Sequence, residues 1–245
     1  MKLINYDTHA HLDLYKDLNS QIDYVERMRS YTIIVTNLPK LYQRYISEYS
    51  NLNYSRFSLG LHPELAVQYK SQLPLFIELA ESSKYVGEIG LDFTKGVIQE
   101  QIKIFEEIID TCNSHGNKII SIHNRRSAKH VIDIVGENSN KIILHWFSGT
   151  MKDLKRAINL NYYFSINTNM VLSKKGREIV RRIPYDKLLI ESDAPFTNAT
   201  RTSNYSLVFM KLIIRQTAEL LNKSEDDIRN MYSVNFKRLL RLEEL

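Results

Sequence analysis

The sequence predicts an α/β fold of the (β/α)8 barrel class, built as one domain over residues 1–245. Three observations lead there. Short β-rich runs alternate with helical patterns from one end of the chain to the other, and no Gly/Ser-rich or Pro-rich linker interrupts them. Eight such runs can be counted, against about five or six in a small doubly wound open sheet, the competing architecture. The length of 245 residues is ordinary for a barrel of roughly 250.

The first strand, Lys2–Asp7, leads into DLNSQIDYVERMRS, whose apolar residues recur at helical spacing. The second, Tyr31–Asn37 (YTIIVTN), is a near-continuous apolar run, as a parallel strand covered on both faces requires, and LYQRYISEYSNL follows it. Arg56–Leu61 is the third strand, with LPLFIELAESS behind it. The fourth, Tyr85–Gly90, precedes the long pattern GVIQEQIKIFEEIIDTCNSHG, which Gly116 closes as helix ends are usually closed. Lys118–Ile122 (KIISI) and Lys141–His145 (KIILH) are the fifth and sixth, followed by SAKHVIDIVGEN and MKDLKRAINLN. Tyr162–Asn167 is the seventh, and KKGREIVRRIP after it stops at Pro184. After the eighth strand, Leu188–Ser192, come two further helices, SLVFMKLIIRQTAELLN and EDDIRNMYSVNFKRLL. Ser224 with Asp227 three residues on forms a capping-box signature for the last of these.

Composition sets bounds on function. Hydrophobic residues make up 43% and charged residues 25%, which is globular and argues against disorder. No run approaches the roughly 18 apolar residues of a membrane span, and MKLINYDTHAHLD breaks into charge before a signal-peptide core could form, so the expectation is a cytoplasmic protein without membrane contact. A lone cysteine, Cys112, lies in a helical pattern and reads as a buried structural thiol. The net charge of +5 and pI near 9.1 favour acidic partners such as nucleic acid without deciding the matter.

The reactive side chains are distributed unevenly. Of seven histidines, His9, His11, His62, His123 and His145 fall at or just past the C-terminal ends of predicted strands, the face on which parallel barrels carry their active sites, whereas His115 and His130 fall on helices. In Asp7-Thr8-His9-Ala10-His11 the period of two in an extended chain points both imidazoles to one side, where two nitrogens can face one metal. A bare H-x-H is common by chance and gains weight only from its company. Glu88 interrupts an apolar strand; a buried carboxylate must be paired, protonated or bound to a cation, and its two oxygens suit it to bridge a pair of metals, with a buried salt bridge as the bland alternative. His123 and His145 end successive strands and can complete a second metal's coordination; either one alone would read as a core histidine. Asp193 ends the eighth strand, beside the first if the barrel closes, where it can ligate a metal and take a proton from water. The expectation is a centre of two divalent ions, drawn from Mg, Mn, Zn, Fe or Co, held by His9, His11, Glu88, His123, His145 and Asp193 with Glu88 and Asp193 catalytic. Hydrolysis is the natural reaction class for such a pair.

These motifs resemble the TatD family of metal-dependent deoxyribonucleases, amidohydrolase-like barrels, over nearly the whole chain. DTHAHLD is similar to the family's opening H-x-H motif, GLHPE with His62 to G-x-H-P, and GEIGLD with Glu88 to the bridging carboxylate motif. SIHNR corresponds to H-x-R through His123 and Arg125, HWFSGT to H-x-F-S-G through His145, ESDAP to E-[ST]-D-[AS]-P through Asp193, and NFKRLL to the terminal N-x-x-R-L-[FL]. Each is weak alone, and their order makes the signal. The resemblance implies hydrolysis of DNA phosphodiester bonds, commonly from a 3′ end on single strands. It also implies one metal on His9, His11, Glu88 and Asp193, a second on Glu88, His123 and His145, and a phosphate facing His62 and Arg125, with His62 open to a further cation. The chain departs from the family at Glu64, where a histidine is frequent, at Ile119, where a proline is usual, and in FTNATRTSNYS after Asp193, where Arg201 is the one substitute for the usual arginine. These divergent loops are compatible with the branch encoded with partner proteins in bacterial anti-phage systems.

Surface features add substrate contacts. Lys174 and Lys175 open a basic segment that continues to Arg177, Arg181 and Arg182 and would attract a phosphate backbone, although Arg181 and Arg182 read better as a solvated helix face. Trp146 directly follows His145 and is a candidate rim contact. Tyr42, Tyr45 and Tyr49 could stack on bases, but their helical spacing favours core packing. Two readings compete with the nuclease: hydrolysis of a small-molecule amide, lactone or ester by the same metals, and a barrel kept as a subunit of a larger assembly.

Overall fold

The structure, a computed structural model, describes residues 5–240. Eight strands stand among the described residues: β1 (Asn5–Ala10), β2 (Ser30–Val35), β3 (Ser55–Ser58), β4 (Tyr85–Asp92), β5 (Ile119–Arg125), β6 (Lys141–His145), β7 (Tyr163–Ile166) and β8 (Leu188–Ile190). The helices are α1 (Leu18–Arg27), α2 (Pro39–Glu48), α3 (Pro63–Ala66), α4 (Leu73–Ala80), α5 (Ile98–His115), α6 (Ala128–Val135), α7 (Met151–Asn159), α8 (Thr168–Leu172), α9 (Lys174–Val180), α10 (Val208–Leu221) and α11 (Glu225–Leu240). Their ends have local causes. Asp17 caps α1 through the Ser20 amide, Thr150 and Asp153 form a reciprocal capping box on α7, and Ser224 and Asp227 exchange the expected capping bonds at α11. Gly116 and Gly136 end α5 and α6 with positive φ, and Asn222 ends α10 in the left-handed conformation.

The described residues form two compact units. The first comprises residues 5–34, 52–56 and 163–240. Within it β1 pairs in parallel with β2, from Asn5 opposite Ser30 to Ala10 opposite Ile34, and β7 pairs in parallel with β8. The chain just beyond β8 then runs beside β1: the Asp193 amide donates to the His9 carbonyl (3.0 Å) and the His11 amide to the Ala194 carbonyl (2.8 Å). First and last strands are thus neighbours, as a closed barrel demands.

The second unit comprises residues 35–51 and 57–162. Its sheet runs β4, β5, β6, all parallel, and every residue of β4 is buried. Unbroken burial explains why these strands are rich in Ile, Val and Leu on both faces. Gly90 allows β4 to lie close against β5: a Cβ there would meet the His123 carbonyl oxygen at 2.2 Å. Tyr42 and Tyr45 are buried, with Tyr45 stacked on Phe57, so the tyrosine run of α2 is core packing as its spacing predicts.

Strand positions follow the sequence expectation and their ends differ. β1 reaches Ala10 and β5 reaches Arg125, so that His9 and His123 lie inside strands; residues 2–4 of the expected first strand lie outside the described residues. The short helices α3 and α8 were not expected. Each is started by a side chain, the His62 imidazole and the Asn167 amide, accepting from a backbone N–H in the first turn.

Candidate metal centre

In the first unit, β1 delivers two imidazoles to one point. His9 and His11 are buried, and their Nε2 atoms face each other at 3.3 Å. Asp193 Oδ1 lies 3.8 Å from each of these nitrogens, brought there by the backbone bonds that hold the chain after β8 against β1. All three ligand atoms fall within 4.8 Å of one another. Donors bonded tetrahedrally to one zinc-sized ion at about 2.0–2.1 Å are themselves about 3.3 Å apart, so this set fits a divalent cation with small adjustment at Asp193.

The supports of this cluster are themselves buried. Asp7 accepts from the His9 amide (3.1 Å), the Ser192 amide (2.9 Å) and the Tyr205 hydroxyl (2.8 Å), tying β1 to the segment after β8. Burial pushes the Asp7 carboxyl up to about 7 despite those bonds. Glu191 is buried and accepts from the Asn167 side-chain amide (2.9 Å) and the Ser165 hydroxyl. Phe196, three residues past Asp193, packs its ring perpendicular to His11, with centroids 5.2 Å apart.

In the second unit three imidazoles surround one oxygen. Glu88 Oε1 lies 2.6 Å from His123 Nδ1, 2.8 Å from His145 Nε2 and 3.5 Å from His62 Nε2. On its other side His123 Nε2 meets Asp92 Oδ2 at 3.1 Å, while Asp92 Oδ1 accepts from the Thr94 amide (2.8 Å) and hydroxyl. Burial favours neutral His123, but the Glu88 charge and the bonds to Asp92 and Glu88 together outweigh it, so its pKa is raised. Burial likewise raises Asp92, yet the bonds from His123 and Thr94 prevail and hold it well below the usual carboxylate range. Both ring nitrogens thus face carboxylates; once the Nδ1 proton is given up, Nε2–H stays on Asp92 and Nδ1 becomes the lone-pair side, the arrangement by which carboxylates orient metal-binding histidines.

His62 is set differently. Its Nδ1 accepts the Glu64 amide (3.2 Å) at the start of α3, so the neutral ring carries its proton on Nε2, pointed at Glu88. In that tautomer His62 is a hydrogen-bond donor, and His62, Glu88 and His123 together offer ligand atoms within 4.8 Å of one another that could hold a metal ion. Arg125, 58% exposed at its side chain, has one guanidinium nitrogen 4.0 Å from Asp92. Asn124 donates to the His145 carbonyl (2.8 Å) and accepts from the Ser148 amide, bracing the turn after β6 in which Trp146 is half-buried. Backbone φ is positive at Arg126 (55°), Trp146 (38°) and Asp193 (46°), all non-glycine residues at or just past strands that carry the candidate ligands.

Of the other expected contacts, Lys174 and Lys175 are exposed in the first turn of α9, and Arg201 is exposed in the loop after Asp193. Arg177 is committed to the Val171 carbonyl and Gln216, and Arg182 pairs with Glu178, in keeping with the helix-face reading of that stretch. Sequence reasoning missed Asp92, Asp7, Glu191 and Phe196. A signal for Asp92 existed, since it stands four residues after Glu88 on the same strand and therefore on the same face.

Residues 6–241 match the family described as TatD related DNase. The chain belongs to the TatD family. It is 28% identical over 260 residues to the uncharacterized metal-dependent hydrolase YabD of Bacillus subtilis, which aligns 97% of this chain with 99% of that protein. A human 3'-5' RNA nuclease, TATDN2, is 27% identical over 220 residues covering 78% of this chain and 28% of that one. The crystal structure of the TatD homolog YjjV from Escherichia coli superposes with a TM-score of 0.83 at 20% identity, covering 98% of each chain. This TatD-family member is therefore a metal-dependent hydrolase with the (β/α)8 barrel fold that the strand count predicts. No described helix is long and apolar enough to cross a membrane.

Proposed function

We propose that this chain is a deoxyribonuclease that hydrolyses phosphodiester bonds of single-stranded DNA, at 3′ ends, through a binuclear divalent-metal centre in a single domain over residues 1–245. The observation that carries the reading is the pair of donor clusters: His9, His11 and Asp193 around one point, and His123 and His145 around one oxygen of Glu88. We assign the first trio to one metal, and Glu88 with the two imidazoles would hold the other. Divalent ions held there would supply Lewis acidity toward a phosphoryl oxygen and lower the pKa of water.

The chain's own groups have separable tasks in this reading. Asp193 accepts the proton of the attacking water. His62, with its proton on Nε2, donates to a phosphate oxygen, and the exposed Arg125 guanidinium offers a fork of donors to the same group. Lys174 and Lys175, in a chain of net charge +5, draw the polyanion in, and Trp146 and Arg201 border its path.

End-labelled single-stranded DNA and RNA incubated with Mg or Mn should distinguish the substrate classes, with Asp193→Asn as the inactive control. Shortening of DNA by the wild type and not by Asp193→Asn is the expected result. A wild type inert on nucleic acid with every physiological metal, yet active on esters, lactones or amides, would replace the nuclease reading with the small-molecule one.

A further inference from the structure

We propose that Phe196 is a stacking platform for the nucleobase of the nucleotide being cleaved, an inference that rests on the nuclease reading above. Phe196 is 47% exposed, although a phenylalanine gains stability by leaving water. It remains open at the one place where its ring touches a proposed metal ligand, packing perpendicular to His11 with centroids 5.2 Å apart. That contact occupies part of the ring and leaves the rest available.

The ring is also firmly presented. The Phe196 amide donates to the Asp193 carbonyl at 2.7 Å, closing a turn directly onto the ligand. Thr197, buried, donates its hydroxyl to the Ser192 carbonyl (3.0 Å) and shares a bond with the Thr200 hydroxyl (2.7 Å). Tyr15, in the segment after β1, donates to the Thr200 carbonyl at 2.8 Å. An exposed aromatic held in place from both sides loses little freedom when a planar ligand covers it.

The chemistry selects the ligand. A phosphate reached by His9, His11 and Asp193 carries its sugar and base outward past the neighbouring residues, and Phe196 is the aromatic neighbour of that trio. Every base has a π face, so stacking on phenylalanine tolerates sequence, as digestion of single strands requires. An uncharged ring should bind without adding to the salt dependence that lysines confer.

The experiment compares wild type with Phe196→Ala, Phe196→Leu and Phe196→Tyr on a single-stranded oligonucleotide and on the same strand lacking the base at the cleaved nucleotide. Phe196→Leu keeps apolar bulk against His11 without the π face, and Phe196→Tyr keeps the face. KM for the intact strand should rise about 5- to 150-fold in the Ala variant, less in Leu, and little in Tyr. On the strand without that base all four proteins should converge, with unchanged metal content and an unchanged slope of KM against salt. Equal KM for wild type and Ala on the intact strand overturns the platform alone. So does an equal loss on both strands or a loss of metal, which would make Phe196 a brace for His11. A wild type that cuts neither strand overturns the nuclease reading together with the platform.

Discussion

Asp92→Asn should be more damaging than the loss of one charge suggests. Asp92 Oδ1 is committed to the Thr94 amide and hydroxyl, so an asparagine there keeps its carbonyl oxygen on Thr94 and turns its NH2 toward His123. Two donors cannot face each other, so the imidazole must give up its Nε2 proton and hold the one on Nδ1, which points at Glu88 2.6 Å away. The apo protein tolerates this, since Nδ1–H then bonds the carboxylate. Metal binding does not, because the ligating lone pair is gone. Loss of an orienting carboxylate behind a metal-bound histidine costs about 10- to 100-fold in affinity, or about 1.4–2.8 kcal/mol. Because the amide enforces the wrong tautomer, Asp92→Asn should bind metal no better than Asp92→Ala. Calorimetric titration of the metal-free proteins with Mn or Zn measures the difference, and thermal unfolding of the apo forms checks that the fold is intact. Wild-type affinity in Asp92→Asn, or clearly tighter binding in Asn than in Ala, would refute the assigned ring orientation.

Three further outcomes follow from other parts of the molecule. Gly90→Ala places a methyl 2.2 Å from the His123 carbonyl oxygen at a φ of +138°, and should lose about 3 kcal/mol or more, read as a fall in the unfolding midpoint by circular dichroism; an unchanged midpoint would contradict the close approach of β4 and β5. Glu26 is raised by burial but lowered overall by hydrogen bonds from Ser55, Tyr54 and Asn53, so its contribution is present above the unfolded value of about 4.3 and is lost as pH falls through the depressed one. Glu26→Gln should therefore be less stable than wild type at pH 7 and approach it in acid, and a gap that persists below pH ~3 would count against this anchor. Burial pushes the Cys112 thiol up to about 12, so a thiol reagent should leave the folded protein untouched and titrate one group after denaturation.

The alternation of strands and helices was legible because buried parallel strands must be apolar on both faces and leave runs such as KIISI and KIIL. Their ends were not. His9 and His123 interrupt the apolar pattern while the backbone ladder continues through them, so reading polarity alone stops those strands early. The candidate ligands stood out because carboxylates and imidazoles at strand ends are costly without a purpose, and five of the six are buried, with His123 14% exposed at its side chain. Asp92 escaped because its task is defined by His123, on a different strand, and a one-dimensional reading gives a strand-terminal aspartate no partner. Phe196 escaped for the opposite reason: phenylalanine defaults to the core, and only coordinates reveal one left in water.

The left-handed backbone at Arg126, Trp146 and Asp193 bears on how far this protein can be hardened against heat. A side chain in that conformation costs roughly 1–2 kcal/mol relative to the right-handed one, a penalty that glycine escapes. Glycine substitutions at the rim are thus among the simplest routes to a more robust fold, yet Trp146→Gly deletes the ring beside His145 and Asp193→Gly deletes a proposed ligand. Selection for thermal survival and selection for turnover pull in opposite directions on the same few peptide units, and a thermotolerant descendant would have to gain its margin in the helical shell instead.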